Sequence, residues 1–180
     1  MKIGNLSISK IYQGATEIEK IYLGSTVVYE VSTPAGQPNN EIWYTSSDGN
    51  IVTLYTVEGL PTIVSNTYVD GKGVIKCASD ITSIGEYAFY DCTSLTSIEI
   101  PNSVTSIGTW AFRDCNGLTS VTIHNNVTSI GERAFSYCSG LTSISYTGTI
   151  AQWNAITKGE SWHQNVPATV VHCSDGDAPI

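Results

Sequence analysis

A 23-residue repeat fills the second half of the chain and constrains the fold more than any other feature. Each copy reads Ile-Gly-x-x-Ala-Phe, followed three residues later by Cys and after three more by Leu. The Ile-to-Phe motif occupies residues 84–89, 107–112 and 130–135. Self-similarity at a fixed period of roughly 20–29 residues is typical of a solenoid, in which one coil stacks on the next. Solenoids present broad binding surfaces, because each coil repeats the same outward positions.

Stacking is required because no single coil can shelter its own apolar side chains. Each copy continues with a strand pattern whose last two apolar residues lie on one face. Burying a large apolar side chain gives about 1.5–3 kcal/mol, whereas ordering one residue costs about 1.5 kcal/mol. Stacked coils bring this balance near zero or better, with Phe89, Phe112 and Phe135 buried in one file. We therefore predict a parallel strand ladder through residues 75–77, 98–100, 121–123, 144–146 and 171–173.

Incomplete coils flank the three full ones. Counting back one period places a starting half-coil over residues 73–85. At the other end the strand spacing returns at Val171 and Cys173, after an insertion of four residues placed around 161–164. Residues 150–156 carry apolar side chains at helical spacing, which predicts a capping helix on the last coil.

The residues ahead of the solenoid divide into three parts. Residues 1–31 contain a ten-residue repeat with Gly-x-Thr breaks at Gly14 and Gly24, which predicts a small β module; an anchoring or oligomerisation role for this module is implied only by a resemblance described below. Residues 32–40 lack charge and apolar bulk and are interpreted as a linker. Residues 41–74 are predicted to form a β-hairpin cap that turns at Asp48-Gly49, with a second turn at residues 70–73.

Residues 75–177 closely resemble BspA-like leucine-rich repeats. The resemblance rests on segments 85–92 and 95–108 and on the tail from Gly148 to Asp177. The general leucine-rich pattern expects Asn or Cys at the place that Ser103 and Asn126 occupy; the sequence departs from it at Ser103. The resemblance implies a β-rich α/β fold, a right-handed solenoid of 23-residue coils between a hairpin cap and a helical cap. It also implies adhesion at bacterial surfaces and interaction with host proteins, although such repeats occur in phage structural proteins too.

Residues 1–31 also resemble the N-terminal segments of phage tail and other virion proteins. The matching pieces begin at Lys10-Ile-Tyr and Lys20-Ile-Tyr. The alternative is a small β unit that simply packs on its neighbour.

Charge and hydropathy exclude several classes of partner. The formal net charge is −8 with only eight Lys and Arg, which argues against nucleic-acid binding. No stretch approaches the roughly 20 apolar residues of a membrane span, so we expect no membrane insertion. The first ten residues lack the apolar run of a signal peptide. We therefore expect the usual secretory route to be missing if Met1 is the native start, although a processed protein would look the same.

The cysteines and the chemical motifs point away from catalysis. Five Cys cannot all form intrachain disulfides, and Cys92, Cys115 and Cys138 recur at the repeat period, as expected of a buried ladder of reduced thiols. No nucleophile elbow, zinc motif or phosphate loop is present. We predict no catalytic residue, no cofactor and no metal site. The three histidines have no evident carboxylate partner, and residues 175–177 are interpreted as a solvated acidic tail.

Comparing the repeats with one another gives the candidate binding residues. Positions that are identical in all copies are fixed by packing, whereas those that differ are free of that constraint. Tyr, Trp and Arg, the types most common at interaction hot spots, occur at such free positions. The candidate ligand-binding residues are Tyr87, Tyr90, Trp110, Arg113 and Arg133, with Ser136 sharing one of the two repeat positions. The strand face, with Ser and Thr around Glu99, is interpreted as flat and low in binding energy. The alternative is a set of scattered surface residues without a ligand.

Two functional hypotheses follow, and neither is enzymatic. The first is a structural or attachment protein of a phage particle, a fiber, tail or capsid-decoration component. Residues 1–31 would contact virion proteins or copies of the same chain, while the solenoid binds a protein or glycan on a cell surface. The alternative is a bacterial adhesin of the BspA-like kind, on the cell surface or secreted.

Overall fold

The computed structural model describes residues 6–13, 16–23, 26–34 and 36–180. The chain divides into two compact units, Met1–Pro38 and Asn39–Ile180. In the first unit three strands form an antiparallel sheet of order β1-β2-β3. They are β1 (Leu6–Gln13), β2 (Thr16–Leu23) and β3 (Thr26–Pro34). The small β module is thus a meander.

Strand β3 shortens the predicted linker. It extends through Pro34, so three of the residues assigned to a linker at 32–40 belong to the sheet. Proline is tolerated there because β3 is an edge strand of this sheet. The predicted breaks at Gly14 and Gly24 lie outside the described residues, as do residues 1–5 and 35.

The second unit is a solenoid built from short strands and one helix. Its leading elements are β4 (Glu41–Ser46), β5 (Ile63–Val69), β6 (Lys72–Cys77), β7 (Ser83–Ile84), β8 (Leu95–Glu99) and β9 (Ser106–Ile107). The remaining elements are β10 (Ser120–Ile123), β11 (Ser129–Ile130), β12 (Ser143–Tyr146), α1 (Ile150–Ala155), β13 (Thr157–Lys158), β14 (Val170–Cys173) and β15 (Gly176–Pro179). Within the described ranges, no helix is long and apolar enough to cross a membrane.

The first side of the solenoid is an eight-stranded sheet of order β15-β14-β12-β10-β8-β4-β6-β5. Strands β8, β10, β12 and β14 pair in parallel, as predicted, and Ile98 aligns with Val121 and then with Ile144. The predicted place of residues 75–77 in this ladder is wrong. Strand β4 inserts antiparallel between β6 and β8, because Ile42 and Tyr44 fill the inner face there and are almost completely buried.

The second side is a four-stranded ladder of order β13-β11-β9-β7. Each of its strands is followed by the repeat glycine: Gly85, Gly108, Gly131 and Gly159. A Cβ added to Gly108 would lie 2.7 Å from the Glu86 nitrogen, and one added to Gly131 would lie 2.4 Å from the Thr109 nitrogen. Only glycine fits, since the backbone of the neighbouring coil occupies the space of a side chain.

The third side is a tight turn held by hydrogen bonds between coils. The amide of Phe89 donates to the Ala111 carbonyl at 2.7 Å, and that of Phe112 donates to Ala134 at 2.8 Å. The three Phe rings are fully buried and stack with centroids 5.0 and 4.9 Å apart. This near-parallel stacking is set by the coil spacing. Trp162 ends the file, with its ring edge-on to Phe135 at 6.2 Å.

The extra residues of the last coil lie at α1, so the predicted insertion around 161–164 is wrong. Ser129 pairs with Thr157, an offset of 28 residues (157 minus 129) in place of 23, and α1 stands between them. Thr149 and Gln152 form a capping box that begins the helix. Trp153, the one buried residue of α1, contacts Trp162 at 5.7 Å. The helical cap is therefore confirmed, while the count of residues alone misplaced the insertion.

The hairpin of the N-terminal cap is formed by β5 and β6 rather than at Asp48-Gly49. Asp70 and Gly71 join these strands with φ values of 50° and 80°, as a two-residue hairpin turn requires. Residues 51–57 contain no strand. They follow the turn of the first coil instead, where the Tyr55 amide donates to the Ala88 carbonyl at 3.1 Å. The Cys92 thiol donates to the Thr53 carbonyl in the same layer.

Truncating the central ring of the Phe file tests the packing of the coils. We expect Phe112→Ala to lower the free energy of unfolding by about 3–5 kcal/mol, because it leaves a cavity between two stacked rings. Val57→Ala is the control at an exposed apolar position, and we expect it to change stability by less than about 0.5 kcal/mol. Urea denaturation measures both. An unchanged midpoint for Phe112→Ala would contradict this packing.

The thiols provide a second test of burial. All five Cys are free, and Cys77, Cys92, Cys115 and Cys138 are buried, whereas Cys173 is half-buried. Burial, with a smaller contribution from Asp91, raises the pKa of the Cys92 thiol to about 12. A hydrogen bond with Cys138 and burial raise the pKa of the Cys115 thiol well above its usual value. Neutral, buried thiols react slowly.

We therefore expect a thiol reagent at pH 8 to modify Cys173 first in the native protein. Cys92, Cys115 and Cys138 should react only after denaturant is added. Peptide mass spectrometry after timed labelling identifies the modified residues. Rapid modification of all three file cysteines under native conditions would show that the coils are not packed as described.

Candidate binding surface

The first candidate position repeats a costly backbone conformation in every coil. Tyr87, Trp110 and Arg133 have φ values of 56°, 58° and 50°, and Ser161 in the last coil has 55°. This left-handed region favours Gly and Asn, and other residues enter it at a cost of about 1–2 kcal/mol each. The turn requires the left-handed conformation at this position, but folding stability alone does not favour Tyr, Trp or Arg there.

The second left-handed position of the coils is mostly occupied by residue types that tolerate this conformation. Asp91, Asp114 and Asn165 occupy it with φ values of 55°, 61° and 61°. Their short polar side chains tolerate this region. Tyr137, at 63°, is the exception, and 37% of its surface is exposed.

The side chains from these turns form one cluster, here named the aromatic stripe. It comprises Tyr55, Tyr87, Tyr90, Trp110, Arg113 and Tyr137. The Tyr87 ring lies 5.1 Å from Trp110 and 5.8 Å from Tyr90, measured between centroids. Tyr55 lies 5.2 Å from Tyr90 and is 66% exposed. The stripe is a continuous aromatic surface, open to solvent at its Tyr55 end.

Arg113 extends the stripe with a positive charge. Its guanidinium carbon lies 4.3 Å from the centre of the Trp110 ring and 5.2 Å from that of Tyr137. These distances are within the range of cation–π attraction. Arg113 Nε also lies 3.2 Å from the Asp114 carboxylate. The stacking holds a planar, charged group at a fixed place among the rings.

The structure brings together four of the five predicted residues: Tyr87, Tyr90, Trp110 and Arg113. Arg133 lies one coil further along, where its Nε is 3.8 Å from Glu132. The surface position expected for Ser136 is wrong, because Ser136 is buried and donates a hydrogen bond to the Ser161 carbonyl. That residue fills the space between two turns.

Sequence reasoning missed two members of the stripe. Tyr137 stands at a position where the other coils carry Asp or Asn, so comparing the repeats there would have found it. Tyr55 lies outside the repeat, in a segment interpreted as a strand, and no sequence signal marks it. It joins the stripe only because its segment follows the first coil.

Outside the stripe, the histidines and several acidic residues of the solenoid are partly buried or make contacts within the fold. His172 Nδ1 lies 2.8 Å from Asp177 Oδ1, so the expectation that it has no carboxylate partner is wrong. Asp175 accepts a hydrogen bond from the amide of Ile150 at the start of α1, at 2.7 Å. Burial lowers the pKa values of His124 and His163. In the part of the chain that the structure describes, no group of three His, Cys, Asp or Glu side chains is placed to hold a metal ion.

Comparison with known families identifies the repeats. The model for a BspA type leucine rich repeat region, in 6 copies, matches residues 73–158. Residues 73–158 are therefore similar to leucine-rich repeats of the BspA type, which are generally parts of binding proteins rather than enzymes. The match begins after the first unit, so the likeness of residues 1–31 to virion proteins stays a prediction.

Three solved structures show similar chains. A leucine rich cell surface protein from Faecalibacterium prausnitzii A2-165 is 44% identical with a TM-score of 0.44, over 46% of this chain and 22% of that one. A leucine-rich repeat protein from Bacteroides capillosus is 21% identical with a TM-score of 0.45, over 92% and 99%. Another, from Bacteroides ovatus, is 21% identical with a TM-score of 0.44, over 96% and 37%. The search of curated proteins gave no match.

The backbone cost of the stripe can be measured with paired substitutions. We expect Trp110→Gly to be more stable than Trp110→Ala by about 1 kcal/mol, because both remove the ring and only glycine relieves the left-handed conformation. Glu86 is the control, since its φ is not positive. There the order should reverse, with Ala more stable than Gly by about 0.5–1 kcal/mol. Urea denaturation of the four variants measures these stability differences. A higher free energy of unfolding for Trp110→Ala than for Trp110→Gly would contradict the account.

Proposed function

We propose that this protein is a non-enzymatic binding protein of a bacterial cell surface. Its solenoid holds a partner protein through the aromatic stripe. The observation that carries the proposal is the placement of Tyr87 and Trp110, in contact with each other, at left-handed backbone positions of successive coils. Their retention there, at a cost in folding free energy, is best explained by a role outside folding.

The composition of the stripe supports a protein partner. Tyr, Trp and Arg dominate the binding energy of protein interfaces because they combine large apolar area with polar groups. The rings contact one another, so their conformations are largely fixed before binding. Such preorganisation reduces the entropy lost on association. The acidic groups beside the stripe, Asp91 and Asp114, favour a partner with basic residues around an apolar centre.

The cell surface is chosen over the phage particle because of the repeat type. The BspA-type match covers residues 73–158, and the resemblance of these repeats implies adhesion. The phage hypothesis depended on the resemblance of residues 1–31 to virion proteins, and no finding bears on that resemblance. Docking of the first unit to virion proteins, or to copies of this chain, stays a prediction.

Binding to cells tests the proposal. Fluorescently labelled protein is titrated onto cultured epithelial monolayers, with and without prior trypsin treatment of the cells. We expect saturable binding that trypsin abolishes, because the partner is a protein. Combined replacement of Tyr87, Trp110 and Arg113 by Ala should weaken binding by about 100-fold or more, as expected when hot-spot residues are lost.

The control variant is Asn154→Ala, an exposed substitution on α1. It should bind like the parent protein, and both variants should retain the circular dichroism spectrum of the parent. Equal binding by the parent and the triple variant would overturn the role of the stripe. Binding that survives trypsin would overturn the protein partner.

A further inference from the structure

Strand β5 forms one edge of the eight-stranded sheet and has a neighbour on one side only. It pairs with β6, and no strand of the described ranges pairs with its other side. An unpaired edge strand presents a row of amide and carbonyl groups with which another strand can pair. This edge is therefore a surface to which a further strand can be added.

The other edge strands of residues 39–180 carry features that block such pairing. Strand β15 has only four residues, among them Asp177 and Pro179. The two edges of the four-stranded ladder, β7 and β13, have two residues each. Short length, charge and proline all protect a sheet edge. Strand β5 has seven residues and contains neither a charge nor a proline.

The hairpin geometry shows which backbone groups of β5 point away from β6. The two-residue turn makes Val69 and Lys72 a hydrogen-bonded pair. Hydrogen-bonded pairs alternate along an antiparallel ladder, so Thr67 also bonds to β6. The amide and carbonyl groups of Asn66 and Tyr68 point outward instead. In the part of the chain that the structure describes, no group bonds to them.

Side chains on the inner face hold β5 in place. The Tyr44 hydroxyl lies 2.7 Å from Asn66 Oδ1, and Asn66 Nδ2 donates to the Val52 carbonyl at 2.9 Å. The Tyr68 hydroxyl donates to the Gly71 carbonyl at 3.2 Å. The outward backbone groups of the strand are thus fixed before a partner binds, which lowers the entropy lost on association.

A bulge limits the length of β5 that can pair. The register shifts between Ile63 and Ser65, whereas it is regular from Ser65 to Val69. The midpoint of this regular part is Thr67, whose side chain is exposed. An antiparallel neighbour centred there uses the outward groups of both Asn66 and Tyr68.

We propose that this neighbour is a second copy of the chain, with the two β5 strands paired antiparallel about a two-fold axis at Thr67. Asn66 of each copy then exchanges hydrogen bonds with Tyr68 of the other. On the outer face Thr67 meets its own equivalent, and Val69 meets Ser65. This inference goes beyond the proposed function and does not depend on it.

The composition of β5 favours a second copy over a foreign strand. Pairing about a two-fold axis places a residue opposite its own equivalent, and like charges there are destabilising. Strand β5 has no charge, and Thr–Thr pairs are favourable. A foreign strand is selected through pockets for its side chains, whereas the outer face of β5 offers only the small, neutral side chains of Ser65, Thr67 and Val69.

The size of the contact sets its strength. Residues 65–69 of two copies bury less area than the roughly 1,200–2,000 Å² of a standard interface. The association is therefore weak and depends on concentration. The dimer carries two copies of the aromatic stripe, which raises avidity on a surface with many partner molecules.

Sedimentation equilibrium of the full chain tests the association. We expect the average mass to rise from that of one chain at low micromolar concentration toward twice that value in the submillimolar range. The control variant Asn154→Lys, exposed on α1, should behave like the parent.

Charge at the axis tests whether β5 is the contact. We expect Thr67→Lys and Thr67→Glu each to weaken association about fivefold or more, because like charges then lie opposite each other. An equimolar mixture of the two variants should recover the association of the parent, since opposite charges meet in the mixed dimer. The mixture also controls for Lys72 and Lys76, which flank the residue opposite Thr67 on β6. All variants should keep the circular dichroism spectrum of the parent.

A cysteine at the axis tests the register. Opposite residues of a non-hydrogen-bonded pair have Cα atoms about 4.5 Å apart, within the range of a disulfide. Oxidation of Thr67→Cys with diamide should therefore give a covalent dimer on non-reducing electrophoresis. Asn154→Cys and the parent should give only background crosslinking, because the native thiols are buried or half-buried.

Three results would overturn the proposal. They are a parent protein that stays monomeric throughout the submillimolar range, dimerisation that both charged variants retain, and a Thr67→Cys variant that crosslinks no faster than Asn154→Cys.

Discussion

Contact between the backbones of successive coils is the constraint on which the rest of the solenoid depends. At Gly108 and Gly131 the next backbone lies where a side chain would be. The amides of the Phe turns bond across the same interface. Because the backbones touch, the coils are held at the spacing of hydrogen-bonded strands and in one register. The Phe rings then stack about 5 Å apart in a single file.

The same register between coils fixes where the outward-facing side chains lie. Each turn needs two left-handed residues, so side chains at those places are presented at the same point of every coil. In the three full coils the residue inside the turn is a buried Phe, whereas the left-handed residue outside it varies among Tyr, Trp and Arg. The scaffold therefore separates folding from binding. The aromatic stripe lies on the turn side, where the stack of coils positions its residues.

The repeat itself could be predicted because its contacts are between equivalent residues. The strands at Ile98, Val121 and Ile144, the Phe file and the capping helix all follow from period and spacing. The predictions failed for segments that have no equivalent in the other coils. Strand β4 enters the sheet from outside the repeat, and its place depends on the burial of Ile42 and Tyr44, which no local pattern shows. Three Asp-Gly pairs have the sequence of a hairpin turn. Asp70-Gly71 lies between β5 and β6, and Asp175-Gly176 lies where β14 turns into β15, whereas the strands on either side of Asp48-Gly49 do not pair with each other. Four of the six residues of the aromatic stripe came from comparing coils, whereas Tyr55 became visible only when the cap segment that carries it was placed.

Native-state hydrogen exchange tests the central claim, that the coils of residues 39–180 unfold together as one stack. The amides to follow are those of Phe89, Phe112 and Phe135, each of which donates to the next coil. A stack in which no coil can shelter its own core opens only as a whole. The account predicts one common opening free energy for the three amides, equal to that of global unfolding by urea. Opening free energies that differ from coil to coil, or that lie below the global value, would contradict it.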